Sequence, residues 1–182
     1  MSSVVGISPP GAPPGPGFDE PFEMLQACHD RVQRMLDLLA KLRTHLRGQG
    51  ADEQARQAAR DVMRYFDKAA PQHHRDEELH VFPSLIGLMD EDMVRLVARL
   101  QLDHLEMDVR WTATRSLLEE VESGVRSRFN EADDAVFDSF STLYVSHLQA
   151  EEGVAFPRAS QAMDAERLAV MSRDMQQRRG VK

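Results

Sequence analysis

The residues with the most chemistry to offer occur twice in one pattern. His73-His74-Arg75-Asp76-Glu77-Glu78 leads to Phe82-Pro83, and His147-Leu148-Gln149-Ala150-Glu151-Glu152 leads to Phe156-Pro157, so both copies read H-x-x-x-E-E-x-x-x-F-P. Each copy has a further histidine upstream: His29 precedes His73 by 44 residues, and His104 precedes His147 by 43. Residues four apart on an α-helix share a face, so His73 with Glu77, and His147 with Glu151, can each bring an imidazole nitrogen and a carboxylate oxygen to one point. Four histidines and two carboxylates in tandem repeat are two matching half-sites for metal. A two-metal centre inside a four-helix bundle requires such a donor set.

Donor type selects the metal. Imidazole and carboxylate without thiolate suit iron or manganese, and a paired helical site favours carboxylate-bridged iron. Zinc or manganese can substitute, although structural zinc prefers cysteine-rich sites. If Glu77 and Glu151 both bridge and each ion takes two of His29, His73, His104 and His147, each ion has four protein ligands. A bridging oxide or hydroxide adds a fifth. Each of two octahedral irons then keeps one position for dioxygen, peroxide or nitric oxide.

Several neighbours have two readings. His80 completes a Glu77-x-x-His80 spacing like that of ferritin-like sites and is either an additional ligand or a supporting core histidine. Asp108, one turn after His104, is expected to orient that ring or close the site rather than ligate. Tyr144, one turn before His147, either donates a hydrogen bond to a bridging ligand or fills the core. His74, Glu78 and Glu152 fall about 100° round from the ligand face and are expected in solvent or in pairs between helices. Cys28, the single cysteine, reads as a small core side chain.

These residues must be carried by helices. Phe22, Leu25, His29, Val32, Leu36 and Leu39 recur at steps of three and four, which predicts a first helix from Asp19–Pro21 to about Arg47. A second starts near Asp52 and turns Val62, Phe66, Ala69, His73, Glu77 and His80 to one face. Pro71 is expected to kink or break it, and Pro83 to end or bend it. A third, from about Glu91 to Ser123-Gly124, aligns Met93, Val97, Leu100, His104, Met107 and Trp111. A fourth, from about Asn130, aligns Phe137, Phe140, Tyr144, His147, Glu151 and Val154. In every helix the candidate ligands interrupt an apolar stripe, so they face the core, where uncompensated carboxylates would be costly.

The expected architecture is all-α, an up-down-up-down four-helix bundle over residues 19–160, followed by a short C-terminal helix and tail over 161–182. The Pro/Gly-rich residues 1–18 read as a disordered leader. A chain of 182 residues suits one such domain. The net charge of −8 gives no footprint for nucleic acid or an anionic membrane. No run is apolar enough for a membrane span or signal peptide, and the lone thiol suits a cytoplasmic location. A homodimer is open; no protein partner is readable.

His29, the two H-x-x-x-E-E-x-x-x-F-P copies and His104 together resemble the hemerythrin-like HHE cation-binding family across residues 20–160, in a bacterial branch of it. The resemblance implies a four-helix bundle with a non-haem di-iron centre. His29, His73, His104 and His147 would be its terminal ligands, and Glu77 and Glu151 its bridges. Oxygen-carrying hemerythrins have a fifth histidine four residues after the third-helix ligand; this chain has Asp108 there, which weighs against reversible oxygen carriage. The chain also lacks the cysteine-bearing leader of the related iron–sulfur repair proteins. The leading expectation is a non-enzymatic di-iron protein that binds or senses dioxygen, a related oxidant or iron. The alternatives are a di-iron oxidoreductase, acting on peroxide, ferrous iron or nitric oxide, and a metal-free helical interaction module.

Overall fold

The computed structural model describes residues 17–180. The Pro/Gly-rich stretch up to residue 16, where disorder is expected, lies outside them. Among the described residues all regular structure is helical. Helix α1 spans Pro21–Gln49, α2 Glu53–Asp76, α3 Phe82–Ile86, α4 Glu91–Glu122, α5 Glu131–Ala150, α6 Phe156–Ala162 and α7 Ala165–Arg178. Two π-helical turns, Glu77–Val81 and Glu151–Ala155, join α2 to α3 and α5 to α6. The bundle therefore has four long members: α1, α2 with α3, α4, and α5 with α6. Consecutive members pack side by side, and α1 meets α5 to close the ring.

Helix starts follow local chemistry. Asp52, Asp90, Asn130 and Asp164 each accept hydrogen bonds from backbone N–H groups of the following first turn, and Asn130 with Asp133 forms a reciprocal capping box. At α1 the cap position falls on Glu20 rather than Asp19, with no side-chain cap; Pro21 has no N–H to satisfy there. Gly50 and Gly124, with φ of 71° and 77°, turn the chain out of α1 and α4.

The prolines neither break nor end their helices. α2 runs unbroken through Pro71, whose ring lies on the exposed face, where water can take up the freed carbonyl. Pro83 and Pro157 do not end their helices. The N–H of Phe82 reaches back five residues to the Glu77 carbonyl, and that of Phe156 to Glu151, so each F-P pair follows one widened turn. The extra residue rotates what comes after it. An unbroken α-helix would hold His80 and Val154 inward; instead Val81 and Ala155 are fully buried, His80 is half-buried and Val154 is 40% exposed.

The apolar core is divided in two. One cluster, including Leu36, Leu39, Val62, Phe66, Leu118, Phe137 and Phe140, fills the bundle away from the π-turns. The other, including Leu25, Phe82, Leu85, Leu100, Phe156 and Ala159, lies beyond them and takes in Met171 and Met175 of α7. Phe18, read as the end of the leader, packs against this second cluster, and the Ser172 hydroxyl donates to its carbonyl at 2.6 Å.

Helix α7 also neutralises a charge. Asp76 is fully buried one residue before Glu77, and Arg178 and Arg179 both bond its carboxylate, the latter at 2.5 Å. Asp174 accepts from Arg178 Nε at 2.9 Å and pairs with His80 Nε2 at 2.7 Å. Removing both arginines leaves an uncompensated buried carboxylate, a class of change that costs about 3–5 kcal/mol. The double substitution Arg178→Ala with Arg179→Ala should therefore lower unfolding stability in urea by roughly that amount, and Asp76→Asn added to it should recover much of the loss.

Candidate metal centre

Between the two apolar clusters lies one polar layer. His29, His73, His104 and His147 are at most 6% exposed, and Glu77 and Glu151 are fully buried. His73 Nε2 lies 3.1 Å from Glu77 Oε1, and His147 Nε2 lies 3.1 Å from Glu151 Oε1, so each i, i+4 pair converges as its spacing requires. The upstream histidines join crosswise. His29 Nε2 lies 3.2 Å from Glu151 Oε2 and 3.8 Å from Glu77 Oε1; His104 Nε2 lies 3.4 Å from Glu77 Oε2. The donors form two sets, His29–His73–Glu77–Glu151 and His104–His147–Glu77–Glu151, each with ligand atoms within 4.8 Å of one another. Both carboxylates belong to both sets.

The second glutamate and the phenylalanine of each motif copy hold the upstream histidine of one set. Glu152 accepts from His29 Nδ1 at 2.9 Å, and Phe156 stacks on the His29 ring at 4.9 Å. Glu78 accepts from His104 Nδ1 at 3.1 Å, and Phe82 stacks on that ring at 5.6 Å. Asp103 does the same for His147 Nδ1 at 3.3 Å. A carboxylate only accepts, so the proton of each neutral ring sits on Nδ1 and the Nε2 lone pair points inward. His104 and His147 then face each other with Nε2 atoms 3.2 Å apart. Two lone pairs at that distance repel, so a proton on one ring or a metal ion bound by both must relieve them.

The buried atoms make the same demand. His29 Nε2, His73 Nε2 and all four oxygens of Glu77 and Glu151 have no hydrogen-bond partner. Unpaired buried polar atoms are rare because leaving them so is expensive. Hard carboxylate oxygens with borderline imidazole nitrogens fit first-row divalent and trivalent ions. The residues present therefore fit a metal pair.

Without metal the layer can borrow only protons. Burial opposes charge on His29, but Glu151 and Glu77 outweigh it and push its pKa up to about 10. His104 is raised against burial by Glu77, Glu151 and Glu78. His73, fully enclosed, is lowered by burial, which outweighs Glu77. Burial would raise Glu77, yet His73, His104 and His29 hold its carboxyl well below the usual range.

Of the remaining sequence candidates, none joins the layer. His80, rotated off by the π-turn, pairs with Asp174. Asp108 is exposed, and the carboxylate on His104 is Glu78 instead. Tyr144 is buried against Phe66 and Phe140, and burial pushes its phenol pKa up. His74 is closer to the site than its helical position suggests. Its ring stacks on His104 at 4.1 Å, and burial followed by the His104 charge drives its pKa well below normal. His74, Asp108 and Tyr144 line a cleft of about 160 Å³ with Phe66, Met107 and Trp111, and His74 is the wall it shares with the ligand layer. Asp103 and the π-turns were not foreseen; the doubled glutamates and the repeated F-P carried the only signal for the turns.

A family match and one relative accompany this site. Residues 20–159 match the Hemerythrin HHE cation binding domain. An uncharacterized protein of Haemophilus influenzae is 32% identical over 165 residues, covering 91% of this chain and 93% of its own length. The family match spans all six convergent residues, and the buried His/Glu layer has the donors of a cation-binding centre. The chain belongs to the hemerythrin HHE cation-binding domain family.

Proposed function

We propose that this chain holds two iron ions and uses them to bind or sense dioxygen, a similarly small oxidant, or iron itself. His29 and His73 would hold one ion, His104 and His147 the other, with Glu77 and Glu151 bridging both. The observation that carries this reading is the set of four carboxylate oxygens, with the Nε2 atoms of His29 and His73, that are buried and without hydrogen bonds, converging with His104 and His147 on one layer. Bound iron supplies open coordination positions and one-electron chemistry.

The protein's own residues do the rest. Glu152, Glu78 and Asp103 fix ring orientation and raise ligand basicity from outside the layer. The cleft of about 160 Å³ beside His74 has room for a diatomic or peroxide-sized ligand. His74 and Tyr144 offer neutral hydrogen-bonding groups along it. An oxidoreductase reading draws on the Glu77-x-x-His80 spacing and on the partly carboxylate-rich shell. With His80 on Asp174, the shell alone supports it. A metal-free interaction module would have only protons on His29 and His104 to set against the two buried carboxylates, at the expense of lone pairs aimed at a common point.

Metal analysis of the full chain, purified anaerobically from iron-replete cells, should give about two irons per chain by the carboxylate-bridged arrangement. Iron-free protein, or zinc with no response to air, would sink the proposal. Glu78→Gln keeps the shape of the group on His104 but weakens its pull on Nδ1–H, and should reduce metal affinity by about 10–100-fold in a chelator competition. In the metal-free chain His29 is protonated below about pH 10, and metal must displace that proton. Affinity should therefore fall as pH drops from 10 towards 7, by about tenfold per unit for each proton released, and calorimetry in buffers of different ionisation enthalpy should register the release.

A further inference from the structure

The outer nitrogens of the four ligand histidines are supported in matching ways, with one break. On α1, Gln26 and His29 both donate to Glu152, at 2.7 and 2.9 Å; on α4, Gln101 and His104 both donate to Glu78, at 2.8 and 3.1 Å. Each glutamine stands three residues before its histidine, and each acid is the second glutamate of a motif copy. The other two histidines do not match. His147 Nδ1 donates to Asp103 at 3.3 Å, whereas His73 Nδ1 is buried and has no hydrogen-bond partner. Asp103 directly precedes His104, and the residue directly preceding His29 is Cys28. The repeat therefore has a thiol, a weak acceptor, where its other half has a carboxylate.

We propose that the two metal positions are unequal: the one at His104 and His147 fills first, the one at His29 and His73 is exchangeable, and Asp103 is the positioning residue that sets this order. The inference rests on the two-metal reading of the layer. A carboxylate on Nδ1–H does two things for a ligating ring. It fixes the tautomer, so that the Nε2 lone pair is aimed inward before an ion arrives, and it raises the basicity of that nitrogen. Asp103 does both for His147. His73 receives neither. In the metal-free chain the proton of a neutral His73 is better placed on Nε2, 3.1 Å from the negative Glu77 Oε1, than on Nδ1, which has no acceptor. An ion at that position must move the proton to Nδ1, where it leaves a buried N–H unsatisfied.

The remaining donors do not offset the difference. Glu77 and Glu151 belong to both positions, and His29 and His104 have the same kind of support. Asp103 also brings negative charge to one position only. Arg99, exposed and 3.7 Å from it, cancels just part of that charge. At a low supply of a divalent first-row ion the chain then holds one ion, at His104 and His147. Occupancy of the His29–His73 position follows a higher supply, so a response to iron would be read there.

Cobalt(II) is a divalent probe for the same donors. In crystals of the full chain grown with half an equivalent of cobalt per chain, anomalous peak heights at the cobalt edge give the relative occupancy of the two positions. The peak beside His104 and His147 should exceed the other by about tenfold or more, the range over which an outer carboxylate tunes metal affinity. Asp103→Asn, which keeps the shape of the group but removes its charge, should bring the two peaks to within about threefold of each other. In solution, Asp103→Asn should weaken the first cobalt bound by about tenfold in a chelator competition, and Cys28→Asp should strengthen the second by a similar factor. Equal peaks in the unaltered chain, or a larger peak beside His29 and His73, overturn the unequal order and leave the two-metal reading intact. A preference that survives Asp103→Asn overturns the role of Asp103. No cobalt at either position overturns the two-metal reading itself, and this inference with it.

Discussion

Two carboxylates without hydrogen bonds, enclosed with four imidazoles in the middle of the bundle, are the constraint around which the rest of this fold is arranged. Negative charge at that depth is tolerable only if positive charge meets it. Protons on His29 and His104 can do so in part, but protonating them spends the lone pairs that the geometry has aimed at a common point. A pair of cations satisfies oxygens and nitrogens together. The helical ladder, the split core and the outer ring of acids all serve to keep the six side chains at that point.

The repeated motif is a compact solution to this constraint. Its first glutamate enters the layer, its second steps across to the Nδ1 of a histidine on another helix, and its phenylalanine lies flat on the same ring. One widened turn makes the last two contacts compatible, because it shifts the register between the glutamates and the phenylalanine. The following proline supports the turn by withholding a donor from the ordinary helical bond. Asp76, adjacent to Glu77 and just as deeply buried, is the one nearby acid that turns away from the layer. It is answered by Arg178 and Arg179 instead, which gives α7 a physical reason to dock where it does.

Much of this was legible in the chain. Helical periodicity located the four bundle members because each buries one stripe, and the i, i+4 spacing of His73 with Glu77 and His147 with Glu151 matches the convergence of each pair in the structure. What periodicity could not supply was the change of period. A constant 3.6-residue repeat puts His80 and Val154 inward, and only the π-turns move Val81 and Ala155 into their places. The partners of the ring nitrogens were hidden for a different reason. Glu78, Glu152 and Asp103 act on helices distant in sequence, and nothing local distinguishes a carboxylate that holds a histidine from one that faces water. The same holds for His74, whose stacking on His104 depends on the distance between two helices, and for the arginine pair on Asp76, a contact across more than 100 residues.

Anomalous diffraction at the iron absorption edge, from crystals of the full chain purified anaerobically, addresses the central claim most directly. Two peaks about 3.5–4 Å apart are expected, as in other two-metal sites, one beside His29 and His73 and the other beside His104 and His147, with Glu77 and Glu151 within reach of both. A single peak, a peak held by other residues, or an ordered layer of six side chains with hydrogen-bonded waters and no metal would contradict it.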